Sequence, residues 1–302
     1  MPEINEVRKY ADFINKNLKN KYIKKINILK GRYLTHGPFN NYDKIVKDLP
    51  LKVLDVKTKG KFMYIILENN YYIFCTLGLS GGWCFYTNKT RKYDFPLVNN
   101  YINQERTEVY TKRSMNHLNV KFSIKGGILY FYDMLSFGTI NVINDETSLN
   151  KKLSAIGPDI MDLSTTFEIF ESQILKKVNL EKAIGVVLMN QKIISGIGNY
   201  LRADILWLSK ISPFRLVKDL SKDDLKIIYK NSIILTWGEY DFEKAISMKI
   251  LSNKDKDKLP RYHNRDFFVY KQDKDIYGNI VHKKELFEGS QKRTIYWCYI
   301  QV

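Results

Sequence analysis

Cysteine is scarce in this chain: Cys75, Cys84 and Cys298 are the only three among 302 residues, an odd number with no CxxC pair. That argues against a disulfide framework and for a reducing, intracellular compartment. Four histidines, at positions 36, 117, 263 and 282, form no HxxxH or HxE spacing. A structural zinc needs four clustered ligands, so neither a metal nor any other cofactor is expected. No apolar run reaches the ~20 residues of a spanning helix. The longest uncharged stretch, Asn69 to Asn88, is broken by Asn, Thr, Ser and three Gly. The N-terminus is charged and amphipathic from the start, so no leader peptide is expected. The deficit with most meaning is in acidic charge: 32 Asp and Glu against 49 Lys and Arg leave a formal charge of +17, which requires an anionic partner. What is present is ample apolar and aromatic matter, 44% and 14% of residues, enough for two cores. With 21 Tyr and 16 Phe interleaved among the lysines, the charge suggests a nucleic-acid surface rather than a membrane.

Along the chain, Ile4, Val7, Ala11, Ile14 and Leu18 recur at steps of three and four, which predicts an amphipathic helix over Pro2 to about Asn20. Pro2 and Glu3 suit its first turn, where a missing N–H costs nothing and a carboxylate faces the positive dipole end. From Leu51 to about Ile143 the period becomes two, with strand candidates at Val53–Val56, Phe62–Leu67, Tyr71–Leu77 and Ile128–Tyr132. The pairs Asn69-Asn70 and Gly126-Gly127 read as hairpin turns. An antiparallel sandwich or barrel is expected. After about Lys151 the pattern is helical, over Phe167–Leu175, Ala183–Met189, Tyr200–Leu208 and a longer run begun by Ser221 and Asp224 as a capping box. Ser252 to His263 is charged and turn-rich, hence a mobile loop. Phe267–Tyr270, Ile280–His282 and Thr294–Tyr299 return to strand-like alternation.

Gln191 to Arg215 (QKIISGIGNYLRADILWLSKISPFR) holds the most information. Gly196 and Gly198 precede Asn199 and a new amphipathic helix, so the backbone there can approach a ligand and helix-start N–H groups can bind phosphate. Taken alone, GxG before a helix is an ordinary connection. This segment, however, closely resembles the helix–two-turn–helix signature of the formamidopyrimidine-DNA glycosylase/endonuclease VIII family of base-excision repair enzymes. The opening Met1-Pro2-Glu3-Ile4-Asn5-Glu6-Val7 resembles the family's PExxEV start. The resemblance implies that removal of Met1 exposes the Pro2 secondary amine, with a pKa of about 8 when unperturbed, as the nucleophile. Attack on the deoxyribose C1′ then expels the damaged base and leaves an iminium, an electron sink that acidifies the C2′ protons. Glu3 is implied as general acid/base. Lys61, a Gly-Lys pair at the start of a strand, matches the family's catalytic lysine hairpin. Glu6 matches the second acidic residue of the opening, and Asn199 the donor to a phosphate flanking the lesion.

Departures from the family pattern sharpen the reading. Most members carry a four-cysteine zinc finger, but here only Cys298 falls near a ligand position, so the C-terminal hairpin resembles the zincless finger of Nei-like proteins. Its tip is placed at Gln291-Lys292-Arg293-Thr294-Ile295, with Arg293 gripping phosphates and assisting δ-elimination. A glycosylase must also fill the hole left by the extruded base. The implied wedge residues are Leu79, where Met is usual, with Leu135 and Phe137 in Asp133–Gly138, where Leu135 and Ser136 replace two arginines. His117 lies near a DNA-contact histidine of the family.

The expected protein is therefore α+β and multidomain. Residues 1–150 form a catalytic helix plus antiparallel β-sandwich, 151–264 a helix–two-turn–helix domain with a lesion-side loop, and 265–302 a zincless β-hairpin finger. The implied activity is that of a bifunctional DNA glycosylase/AP lyase acting on oxidised pyrimidines, formamidopyrimidines and hydantoins, with β,δ-elimination. Its partner is double-stranded DNA carrying an oxidised base or abasic site, with single-stranded DNA a further ligand. A monomer without membrane association is expected. The rivals are a non-catalytic DNA-binding or architectural protein of the same fold, and an RNA-binding protein.

Overall fold

The computed structural model describes residues 2–97, 111–288 and 291–302. It divides into two compact units, one holding Pro2 and Glu6–Ser154, the other Glu3–Asn5 and Ala155–Val302.

In the first unit, helix α1 (Ile4–Leu18) buries Val7, Tyr10, Ala11, Ile14 and Leu18, the stripe that the three-four spacing requires. The helix starts at Ile4, so Pro2 and Glu3 precede it instead of forming its first turn. Among the described residues nine antiparallel strands follow, β1 (Tyr22–Ile28), β2 (Leu51–Lys59), β3 (Phe62–Leu67), β4 (Tyr72–Thr76), β5 (Gly81–Thr87), β6 (Lys92–Asp94), β7 (Leu118–Ile124), β8 (Gly127–Asp133) and β9 (Thr139–Ile143). They pair in the order β6-β5-β8-β7-β1-β2-β3-β4-β9. β1 and β2 share only two register pairs, Tyr22↔Lys52 and Ile23↔Leu51, and there the ladder passes from one layer of the sandwich to the other. Trp83, Phe122 and Phe131 meet Met63, Ile65, Ile73 and Val142 in one core that also takes the apolar face of α1. Each such side chain contributes on the order of 1.5–3 kcal/mol by leaving water.

The turns report their residue chemistry. Asn69 and Asn70 both adopt positive φ (59° and 58°), the hairpin geometry expected of that pair. The second hairpin is displaced by one residue from the expected Gly126-Gly127. Ile124 pairs with Gly127, so the turn is Lys125-Gly126, with Gly126 at φ 90°. Gly127 is already strand, and a Cβ there would lie 2.4 Å from the Phe85 ring.

The second unit is helical. Helices α3 (Phe167–Ile174), α4 (Ile184–Val187), α5 (Asn199–Leu208) and α6 (Lys222–Ser247) follow α2 (Glu146–Ser154) of the first unit, and the hairpin β10 (His282–Glu288) and β11 (Gln291–Trp297) comes last. Ser221 and Asp224 form the expected capping box of α6. Helix α5 is buried almost all round, from Asn199 to Trp207, within a core shared with α3, α4 and α6.

Three expectations for this unit need correcting. Ser252–His263 is not an open loop. Ser252 and Asp255 form a second capping box, two 3-10 turns follow, and Leu259 is fully buried against Gly238. Phe267–Tyr270 is not a strand, because its N–H groups are turned inward onto Asp204. Gln291–Ile295 is not a tip but the first part of β11; residues 289–290 lie outside the described residues. Among the described residues no helix is long and apolar enough to cross a membrane.

Candidate functional site

The start of α5 differs from the phosphate-binding turn that its glycines suggest. Its N–H groups meet the carboxylate of Glu3, which is fully buried: Gly198 N donates to Oε2 at 2.7 Å, Tyr200 N to Oε1 at 2.9 Å and Leu201 N to Oε2 at 3.3 Å. The positive end of α5 is thus neutralised by a carboxylate from the same chain, and an external anion is not needed there. Backbone pairing extends the anchor, with Ile4 N donating to Gly196 O at 3.3 Å. Gly196 sits at φ 111°, and a Cβ would fall 2.4 Å from Ile4 Cδ1, so both conformation and space demand glycine. On the next residue, Tyr200 Oη donates to Asn5 Oδ1 at 2.7 Å. Pro2 therefore precedes a residue fixed by three backbone donors.

Beyond this anchor lies a polar cluster that α5 shares with the hairpin. Asn199, 9% exposed, donates from Nδ2 to Thr294 O at 3.0 Å and accepts at Oδ1 from the buried Arg202, whose other arm donates to Gly185 O at 2.9 Å. Burial first, then the charges of Tyr296 and Glu3, push the Tyr270 phenol up, against the opposing pull of Asn199 and of the Arg293 guanidinium. Tyr270 thus keeps its proton and remains a donor beside a cation. Local pattern had no means of identifying Tyr270, since its segment looks like a strand. The position of that segment is set by Asp204 on α5, which accepts from Phe268 N, Val269 N and Tyr270 N at 2.9, 3.0 and 3.3 Å. Burial pushes the Asp204 carboxyl up to about 7, although those three donors act the other way.

In the first unit a buried carboxylate again organises the backbone. Asp133, 1% exposed, accepts from Ser80 Oγ at 2.6 Å and Gly138 N at 2.6 Å, while Leu135 N donates to Ser80 Oγ at 2.8 Å. This joins the β4–β5 loop to the β8–β9 loop, and Gly78 permits the contact because a Cβ would lie 2.6 Å from Gly138 N. Three apolar side chains stand out from the joined loops: Leu79, Leu135 and Phe137, 42%, 56% and 59% exposed. Lys61 is half-buried in the two-residue turn between β2 and β3, where Lys59 pairs with Phe62 and Gly60 takes φ 56°. His117 is exposed just before β7, and Glu6 is half-buried in the first turn of α1.

The structure thus groups Leu79, Leu135 and Phe137 in one unit, and Glu3, Asn199 and Arg293 in the other, with Tyr270 added. His117 is tied to the first group through its backbone carbonyl, which accepts from Asp133 N at 3.1 Å. All three cysteines are buried, and burial raises their thiols away from reactivity. Among the described residues no three His, Cys, Asp or Glu side chains are arranged to hold a metal ion.

Comparison with known proteins bears on the same two units. The model of the formamidopyrimidine-DNA glycosylase N-terminal domain matches residues 1–140, and that of the formamidopyrimidine-DNA glycosylase H2TH domain matches residues 156–239. The formamidopyrimidine-DNA glycosylase of Mycoplasma mobile is 26% identical over 235 residues, covering 77% of this chain and 75% of its own length. That of Ureaplasma parvum is 27% identical over 233 residues, covering 77% and 76%. Among solved structures, the Lactococcus lactis enzyme bound to DNA containing an AP site aligns with a TM-score of 0.73 at 17% identity over 99% of both chains. MutM in complex with DNA containing carbocyclic 8-oxo-G aligns with a TM-score of 0.71 at 19% identity over the full length of both. At these identities the structural likeness establishes the fold.

Proposed function

The chain belongs to the formamidopyrimidine-DNA glycosylase/endonuclease VIII family, and from that premise we propose that it is a bifunctional DNA glycosylase/AP lyase of base-excision repair, acting on duplex DNA with an oxidised base or an abasic site. The observation that carries the reading is the Glu3 carboxylate, fully buried and held by three backbone N–H groups, on the residue that follows Pro2. A nucleophile on a chain terminus is useful only if the terminus is held still, because positioning a reacting pair lowers the barrier by several kcal/mol. The Glu3 anchor supplies that rigidity.

Once Met1 is removed, the Pro2 nitrogen lone pair forms a bond to C1′ and the glycosidic bond breaks, the base leaving with the electron pair and a proton. Opening of the sugar ring leaves an iminium at C1′. Loss of a C2′ proton expels the 3′ phosphate, and a second elimination expels the 5′ phosphate. Glu3 transfers protons to and from the sugar, and Lys61 contacts the phosphate or sugar near the lesion and assists. Arg293 and the Tyr270 hydroxyl, with Asn199, form a donor set for a phosphate flanking the lesion, and Arg293 favours the second elimination. Leu79, Leu135 and Phe137 fill the space left in the base stack, with Phe137 as the wedge. With leucine and serine at positions 135 and 136, that filling is apolar, and discrimination of the opposite base by a guanidinium is absent from it. Oxidised pyrimidines, formamidopyrimidines and hydantoins are the proposed substrates, and the metal-free hairpin serves as a zincless finger.

Borohydride trapping tests this directly. Incubation with thymine-glycol or abasic duplex and sodium borohydride should give a covalent protein–DNA adduct, reduced at least a hundredfold by Pro2→Gly or by retention of Met1. Duplex binding without any adduct would instead identify a non-catalytic DNA-binding protein of the same fold.

A further inference from the structure

The second unit carries a row of aromatic rings that the excision chemistry does not use. Lys284 Nζ lies 5.5 Å from the centroid of Phe214, and Phe214 meets Trp297 edge-on at 4.8 Å. Trp297 faces His282 across the β10–β11 ladder at 5.6 Å with 37° between planes, and His282 packs against Tyr299 at 4.2 Å. The row does not close over at its end, since Tyr299 is 78% exposed, and Ile280, two residues before His282, is 63% exposed. A tyrosine face exposed in this way gains little from the fold and leaves apolar ring surface against water. The charge beside it is positive. Lys284, exposed on β10, shares the face of His282 and Trp297 in the strand register, whereas the acidic Glu285 lies on the other face and is engaged by Lys292.

We propose that the ring row Phe214, Trp297, His282 and Tyr299, with Lys284, is a binding site for a segment of single-stranded DNA, whose unpaired bases stack on Tyr299 and His282 while the lysine holds a phosphate. Aromatic faces with interleaved cations are the means by which proteins bind unpaired strands irrespective of sequence, because every base offers a π face. A duplex cannot use the site in this way, since its bases already stack on each other. The site therefore selects strands that are frayed, gapped or unwound. The proposal does not rest on excision, and it is tested with lesion-free strands.

The experiment is fluorescence anisotropy of the full-length protein with a labelled oligothymidine, read together with quenching of tryptophan emission. Wild type should bind oligothymidine at least about tenfold more tightly than a strand of equal length built from abasic tetrahydrofuran units. Tyr299→Ala and His282→Ala should each weaken oligothymidine binding roughly tenfold, Tyr299→Phe should retain it, and Lys284→Ala should lessen its salt dependence. Equal affinity for the abasic strand would show that phosphate attraction alone is at work and would overturn the site. Unchanged binding by Tyr299→Ala would do the same, and tighter binding of oligouridine than of oligothymidine would overturn the choice of DNA.

Discussion

Both units use a buried carboxylate to organise backbone N–H groups, yet they present opposite faces as candidates for function. In the helical unit the polar groups are enclosed: Glu3 and Arg202 are fully buried and Asn199 is 9% exposed, each with partners inside the unit. In the sandwich, Asp133 gathers two loops that leave Leu79, Leu135 and Phe137 exposed. Polar chemistry needs fixed geometry and low dielectric, which burial supplies. The wedge role proposed for the three exposed side chains needs an empty surface, because an unstacked base step would arrive with the substrate. The distinction is between a site completed by folding and a site completed by binding.

That contrast can be broken at three points. Glu3→Ala removes the acceptor for three donors at the start of α5 and should cost about 3–4 kcal/mol of stability, read as a lowered urea midpoint for the unit that contains α5. Asp133→Ala should cost about 2–3 kcal/mol, fewer backbone donors being orphaned, and should release the two loops to faster amide exchange at Leu135 and Gly138. Phe137→Ala should leave stability within about 0.5 kcal/mol, because the ring is 59% exposed, while weakening binding to lesion duplex several-fold. A large stability loss in the last variant, or none in the first, would collapse the comparison.

Much of the fold could be read from periodicity. Phe62–Leu67 coincides with β3, the Ser221 capping box opens α6, and Asn69-Asn70 makes the turn its φ preference demands. Less legible were strands whose composition hides their packing. In β1, Lys24 and Lys25 interrupt the alternation at a register irregularity between Ile23 and Lys25. β5 opens with Gly81-Gly82 because the Tyr10 and Tyr132 hydroxyls, 2.7 Å apart, would lie 2.3 and 2.4 Å from a Cβ at Gly82. At the site, Pro2, Glu3, Asn199 and Arg293 stood out through resemblance, but what Glu3 touches did not. Its donors lie 195 to 198 residues away, and no local pattern encodes a contact of that span. Tyr270 was missed for the same reason, and Leu259 because lysines and aspartates surround it.

The span between Glu3 and its donors also imposes an order on biosynthesis. Until residues 198–201 have been polymerised, nothing exists to receive the third residue's side chain. At ~5–20 residues per second Glu3 accordingly stays unsequestered for roughly 10–40 seconds on the ribosome. Any enzyme that acts on the chain beside Glu3 has that interval in which to do so, before the completed polypeptide draws that side chain inside.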